Sequence, residues 1–327
     1  MKKRSVIVNR VTSLCVVMIT TLFLSQNPAS AADSGAISTA AGSHHSLILK
    51  GDGTVWAWGD NYYGQLGDGT KIQQNAPVQV KALSNITRIA AGNGYSIALK
   101  ADGTVWSWGF NGYGQLGDGT KDTRNAPIQT VGLTDVIEIS AGTTHALALK
   151  KDGTIWAWGS ILDKQYLKPF KVEGITDAKE IAVGRGFSLV VKKDGTVWGW
   201  GDNNYAQLGL NHKVNVSIPT KIGTLSNIVS VAAGQDSSYA LDVDGKVYAW
   251  GYNGSGQLGD GSSIERLLPV QVLDLIDIEE ISSGPTASHC LARKKDGTIY
   301  AWGYNWAGQL GNGTTTNSNK PIKITLP

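Results

Sequence analysis

One pattern governs what this chain can fold into: a unit of about fifty residues, repeated six times. A step from a small residue to glycine recurs at Gly42, Gly92, Gly142, Gly184, Gly234 and Gly284, at intervals of 50, 50, 42, 50 and 50 residues. Each step is followed by Asp-Gly, first at Asp52 and Gly53. Next comes aromatic-x-Trp-Gly, first at Trp56, Trp58 and Gly59. Five units continue into Gln-Leu-Gly, first at Gln65, Leu66 and Gly67. Each unit then passes a proline: Pro77, Pro127, Pro169, Pro219, Pro269 and Pro321. Of the 11 tryptophans, only Trp306 stands outside this motif.

Within a unit the periods are those of strands. Leu47 and Leu49 alternate with Ser46, Ile48 and Lys50. Asp52-Gly53 is then expected to supply the positive-φ pair of a tight hairpin. Trp56 and Trp58 fall on one face of the next strand, Val55 and Ala57 on the other. Adding a strand before the glycine step and one after the proline gives four per unit. A strand apolar on both faces belongs where sheets are covered on each side. The predicted architecture is therefore all-β, a β-propeller of four-stranded antiparallel blades. The count is six blades, or seven if a degenerate unit is hidden among the departures from the pattern. A stacked β-solenoid is the second architecture, although its repeats are usually shorter. One domain over 32–327 is expected, with units at about 37–85, 86–135, 136–177, 178–227, 228–277 and 278–327. The third unit is shortened after Trp158-Gly159, and the sixth carries extra residues around Pro285 to Ser288.

The N-terminus distorts the charge balance. Lys2, Lys3, Arg4 and Arg10 precede an apolar stretch from Val11 to Leu24, and Pro28 to Ala31 supply small residues. This is the pattern of a secretory signal peptide cut after Ala31. The apolar stretch is shorter than the roughly 20 residues of a membrane span, so the mature chain is expected to carry no transmembrane anchor and to be secreted. The whole chain has 29 Lys+Arg and 26 Asp+Glu. Removing the four basic residues of the signal leaves 25 against 26, with no net basic excess for nucleic-acid phosphates. Only Cys290 remains after processing, so stability must come from packing within a chain expected to be a monomer.

Ala41-Gly42-x-x-His45-Ser46-Leu47-x-Leu49, then Asp-Gly-Thr-Val-Trp-x-Trp-Gly and Gly-Gln-Leu-Gly, resembles the regulator of chromosome condensation repeat. The likeness covers about residues 35–327 and implies the propeller. This chain looks like a bacterial secreted member, similar to the alpha-tubulin-suppressor-like and β-lactamase-inhibitor propellers. The family also includes exchange factors for the GTPase Ran, chromatin binders and a plant ultraviolet photoreceptor. The resemblance therefore fixes the fold, and function has to be sought in the sites. The long inserted hairpin of the exchange factor has no counterpart here. The tryptophan pairs are flanked by Ala, Ser, Gly and Thr, without the arginines of the photoreceptor.

Several apparent motifs dissolve in context. Gly112-x-Gly114-x-x-Gly117 and Gly254-x-Gly256-x-x-Gly259 match a dinucleotide fingerprint, which works only between a strand and a helix. Gly64 to Lys71 has phosphate-loop spacing, but Thr70 precedes Lys71 where the motif requires the reverse order. His45, His145 and His289 occupy equivalent positions in separate units. Metal ligands must converge on one point, so these read as histidines hydrogen-bonded within their own blades. The Asp-Gly aspartates lack the Asp-x-Asp-x-Asp-Gly run of a calcium loop. No nucleophile–base pair or carboxylate pair can be read locally. The expectation is a non-enzyme with no cofactor, no metal and no catalytic residue.

Strand parity places a binding face. If strands alternate up and down, the loop after each glycine step and the long Trp-Gly loop open on the same side. That side collects the aromatic residues and the departures from the repeat. Trp306, Tyr304, Tyr252, Phe110, Tyr62 and Arg185 are the candidate contacts for a protein or cell-envelope ligand, because rigid aromatic rims supply binding hot spots. A secreted enzyme acting on wall polymers or polysaccharide from the central depression is the alternative. A guanine-nucleotide-exchange-factor-like regulator of a small GTPase, implied by the resemblance, is a further one.

Overall fold

A computed structural model describes residues 35–325. The expected signal segment lies outside them. Six four-stranded sheets follow one another along the chain, each antiparallel and in sequence order, and they stand in a ring as a six-bladed β-propeller. No helix occurs among the described residues. The ring replaces the alternative of a linear stack and leaves no seventh blade among the described residues.

In the first blade the strands are Ala36–Ala41, His45–Lys50, Val55–Gly59 and Gln74–Gln79. The first strand of every blade lines a central channel of about 1410 Å³, and the fourth lies outermost. The turn between the second and third strands departs from the predicted pair of positive-φ residues. Only Gly53 has positive φ, at 77°. Asp52 instead uses its carboxylate to accept the Thr54 N–H at 3.0 Å and the Thr54 hydroxyl at 2.7 Å. An aspartate that satisfies the turn by its side chain needs no left-handed backbone.

The proline is likewise not a boundary before the fourth strand. Pro77 lies inside Gln74–Gln79, and its counterparts sit in the same strand of the other blades. An outermost strand has one free edge, where a residue without an N–H costs no ladder bond. The register slips beside it, with Ala57 opposite Val78 but Gly59 opposite Gln74.

The core lies between blades. Leu47, Leu49, Val55, Ala57 and Leu66 of the first blade pack on Ile86, Ala98 and Trp108 of the second. A polar lock runs through this apolar junction. The Trp108 indole N–H and the Ser96 hydroxyl both donate to the Gln65 carbonyl at 2.8 Å. Trp158, Trp250 and Trp302 repeat the indole bond to Gln115, Gln207 and Gln257 at 2.8 Å. His45 Nε2 bonds Ser96 Oγ at 2.9 Å, and His145 does the same to Ser188. The histidines thus join neighbouring blades, contrary to the bond within one blade read from the sequence. They sit on the outgoing face of the second strand, so their rings reach the next blade's serine. Burial drives both imidazoles down to about 4.

The glycine step has its reason here. A Cβ on Gly42 would lie 2.7 Å from the Gly92 carbonyl oxygen, and one on Gly92 2.5 Å from that of Gly142. Adjacent blades approach backbone to backbone at this point, and only glycine leaves room.

Candidate binding face

Strand parity places the loops as expected. The Asp60 N–H donates to the His44 carbonyl at 2.9 Å, and the Phe110 N–H to the Gly94 carbonyl at 2.8 Å. The turn after the glycine step and the long loop therefore rise together on one face.

A buried asparagine holds each long loop rigid. Asn61 donates to Ile72 O at 3.0 Å and Asp68 Oδ1 at 3.2 Å, and its own carbonyl accepts the Leu66 N–H at 3.0 Å. Asn111, Asn203, Asn253 and Asn305 do the same work and are fully buried. These asparagines are not among the residues singled out by the repeat motif. Their signal was available, because an asparagine stands three residues after the tryptophan of the Trp-Gly step in five units. In the third unit the shortened loop is a tight hairpin between Ile155–Ile161 and Lys164–Lys171, so it needs no such anchor.

On these loops the candidate residues form three separate groups. Tyr62 meets Tyr63 at 4.9 Å, Tyr63 meets Phe110 at 4.7 Å, and Phe110 meets Tyr113 at 5.8 Å, a continuous run over blades 1 and 2. Tyr252 packs edge-on to Tyr205 at 5.4 Å, with the Arg185 guanidinium 6.0 Å from the Tyr205 ring. Tyr304 and Trp306 stack at 6.0 Å in blade 6. Tyr63, Tyr113 and Tyr205 complete these groups, although they were not among the six chosen contacts. Trp306 is 73% exposed and Tyr62 70%, the two most open aromatics of the face.

Arg185 is not a free cation. Its Nη2 donates to Asp236 Oδ1 at 2.8 Å across the junction of blades 4 and 5. Burial raises the Asp236 carboxyl, and the Arg185 charge opposes that rise. The extra residues of the sixth unit reach over the channel mouth. The Thr143 hydroxyl donates to the Pro285 carbonyl at 3.4 Å, Ser43 Oγ donates to Thr286 Oγ1 at 3.4 Å, and the Gln235 N–H donates to the Ala287 carbonyl at 2.9 Å. This insertion therefore touches blades 1, 3 and 5 from blade 6.

Where the third unit is short, a pocket of about 200 Å³ opens between blades 3 and 4, lined by Ser160, Asp163, Asp202, Asn204 and Asn215 among others. Deeper in the channel, Glu138 and Glu180 lie on neighbouring first strands, a carboxylate pair that local spacing could not reveal. Glu180 accepts the Ser230 hydroxyl at 2.7 Å and the Val231 N–H at 3.0 Å. Glu138 is pushed up to about 8, first by burial and then by the Glu180 charge.

These features define a class: a six-bladed propeller with a rigid, aromatic loop face. The chain belongs to the RCC1-like domain family, which matches residues 25–327. It is similar in structure to Prp20p from Saccharomyces cerevisiae, with a TM-score of 0.79 and 23% identity over 89% of this chain and 77% of that one. Human WBSCR16 gives a TM-score of 0.78 and 23% identity over 90% of this chain and 83% of that one. At this identity the likeness is one of fold. The E3 ubiquitin-protein ligase HERC2 of Homo sapiens is 56% identical over 36 residues, which is 11% of this chain and 1% of HERC2. The chain thus spans a very small part of that relative.

Proposed function

We propose that this protein is exported and binds a protein or cell-envelope partner through its loop-rich face, without catalysing a reaction. The observation that carries the reading is Trp306, 73% exposed, stacked on Tyr304 above a loop held by a buried asparagine. A large aromatic presented on a rigid support loses little conformational freedom on contact and is the common anchor of protein interfaces. The N-terminal signal pattern supports export. The yeast structure is described together with its binding to Gsp1p and histones, and a second describes the yeast protein bound to Kap60. Protein partners are thus familiar to this fold.

The test is capture by the immobilised protein from extracellular and cell-envelope fractions, followed by affinity measurement with the captured partner. Trp306→Ala and Tyr304→Ala are expected to weaken binding by about tenfold or more each. Equal affinity for both variants and the wild type would remove the proposed face. The family likeness favours one second reading, a regulator of nucleotide exchange on a small GTPase. Accelerated nucleotide release from a GTPase panel would support it. Turnover of a glycan panel would instead support an enzyme working from the channel.

A further inference from the structure

The third unit lacks the long loop that the other five units carry, and blade 4 keeps the groups that such a loop would satisfy. Where the loop is present, one carbonyl serves two buried donors of the next blade. Gln65 O accepts the Trp108 indole N–H at 2.8 Å and the Ser96 hydroxyl at 2.8 Å. Gln207 O accepts the Trp250 N–H at 2.8 Å and the Ser238 hydroxyl at 2.6 Å. The counterparts on blade 4 are Trp200 and Ser188. Trp200 is only 2% exposed and packs with Leu147, Ile155, Ile175 and Val190, as Trp108 packs with Leu47, Val55, Leu83 and Ala98. Ile161 stands in that core where Leu66 stands in the first. No carbonyl stands where Gln65 O does. Among the described residues the Trp200 N–H has no acceptor, and the Ser188 hydroxyl meets only His145 Nε2. Buried donors are rarely left so.

The walls around these donors are bare in the same way. A Cβ on Gly109, Gly251 or Gly303 would lie 3.2 Å from the Cα of Gln65, Gln207 or Gln257 in the preceding blade. The atoms nearest to one on Gly201 all belong to its own blade. A Cβ on Gly94 would lie 3.1 Å from the Tyr63 ring, whereas one on Gly186 meets only Asp202, at 3.6 Å. On the outer side, the Asn125 and Asn319 carbonyls accept the N–H of Gly69 and Gly261 at 2.9 Å, and the Leu267 carbonyl that of Asn211 at 3.0 Å. The Ser217 carbonyl has the same place, two residues before the strand's proline, and accepts no such bond. The pocket of about 200 Å³ lies here, with Gly186, Asp202 and Asn215 as its blade 4 side.

We infer that the cleft between blades 3 and 4 is a binding seat for a glycine-containing loop of a partner protein, which enters where the third unit's own loop is missing. The chemistry of the occupant follows from the groups it must satisfy. An indole N–H and a hydroxyl that converge in the other locks call for a carbonyl oxygen, and a free carbonyl on the outer wall calls for an N–H. In the first unit these come from Gln65 and Gly69, four residues apart. A polypeptide backbone offers both at that spacing. The residue before the carbonyl must be small, because a Cβ on Gly64 or Gly256 would lie 2.5 Å from the backbone of the next blade. The inference rests on the reading that the loop-rich face meets a partner, and it adds a contact there that does not involve Trp306.

NMR of the ¹⁵N-labelled protein tests it, because each indole N–H gives its own signal and that of Trp200 is assigned by its loss in Trp200→Phe. The probe is a synthetic peptide of residues 61–70, the loop that fills the equivalent seat on blade 2. In the free protein the Trp200 N–H is expected to exchange with solvent about tenfold or more faster than that of Trp108. Peptide in large excess should shift the Trp200 signal and slow its exchange, and a scrambled peptide should do neither. Trp200→Phe keeps a ring but loses the donor, and should weaken peptide binding about fivefold to tenfold, read from the other signals that move. Replacing residues 160–165 by a copy of residues 110–123 restores a loop of normal length to the third unit. That graft should melt higher and no longer bind the peptide, and if it does not fold, Trp200→Phe decides. A Trp200 N–H as protected as that of Trp108 in the free protein overturns the inference. So does a Trp200 signal that excess peptide leaves in place, undiminished binding by Trp200→Phe, or a folded graft that binds as well as the natural chain. Each of these leaves the capture experiment at Trp306 standing, and a failed capture leaves the peptide result standing.

Discussion

The blade junctions and the loop rim use the same kind of side chain for opposite ends. Trp108 is wholly buried between blades, with its N–H on the Gln65 carbonyl at 2.8 Å. Trp306 is 73% exposed and touches another ring only at Tyr304. The first kind recurs at the five packed junctions, because each of those cores must be filled. The second occurs once, where the counterparts are Tyr62, Gly112, Asn204 and Gly254. Recurrence in a repeat protein thus marks what the scaffold requires. Departure marks where the scaffold has been left free to vary.

The comparison breaks most visibly at Trp108. Trp108→Ala empties a sealed junction and strands the Gln65 carbonyl, so it is expected to cost about 3–5 kcal/mol of stability. Chemical denaturation should show it as a lower midpoint. A loss below about 1 kcal/mol would mean that the junction cores are not what holds the ring.

The histidine locks give a smaller effect with a definite sign. His45 and His145 are held neutral, with folded values near 4 against an ordinary 6.5. The unfolded chain takes up the proton first as pH falls. The locks therefore stabilise fully above about 6.5, and that stability is lost as pH drops toward 4. His145→Gln should flatten the decline between these limits by on the order of 1–2 kcal/mol at pH 5. An unchanged pH–stability curve would place the acid sensitivity elsewhere. Glu138 works in the opposite direction, because a raised carboxyl value favours the fold at low pH and ceases to do so as pH rises toward about 8.

Most of the junction chemistry was legible in the sequence, and most of the rim was not. The glycine step, the hairpin and the tryptophan pair recur, and their period alone specifies strands and blades. Asn61 and its counterparts recur too, but their meaning appears only when the loop closes around them. Two of the three rim groups arise from contacts between units, Tyr63 with Phe110 and Tyr205 with Tyr252, and a one-dimensional pattern does not rank which neighbours meet. The direction of the His45 bond was misread for the same reason, since its partner Ser96 stands one blade away. The two blades that meet where the chain's first and last units adjoin differ in sequence too, with Thr39 in the place of Ile89 and Ile139 and Arg293 in the place of Leu49 and Leu99.

Trp58 sits between the two extremes and sharpens the rule. It carries the recurring motif, yet it is only half-buried, where blade 1 faces blade 6. Burial, not membership of the motif, should set its cost, so Trp58→Ala is expected to lose about 1–2 kcal/mol, well below Trp108→Ala. Equal losses at the two positions would mean that the junction of blades 6 and 1 is packed as tightly as that of blades 1 and 2.

Trp306→Ala is the smallest of these effects on stability and the most telling. The ring covers no core, and Asn305 continues to hold the loop through the Thr314 and Thr316 carbonyls at 3.0 and 2.9 Å. Stability should change by no more than about 0.5 kcal/mol, as for other exposed substitutions. A residue this large and this exposed, yet dispensable to the fold, is what the proposed contact with a partner requires. A drop in midpoint comparable to that of Trp58→Ala would return Trp306 to the scaffold and remove the reason for choosing this rim.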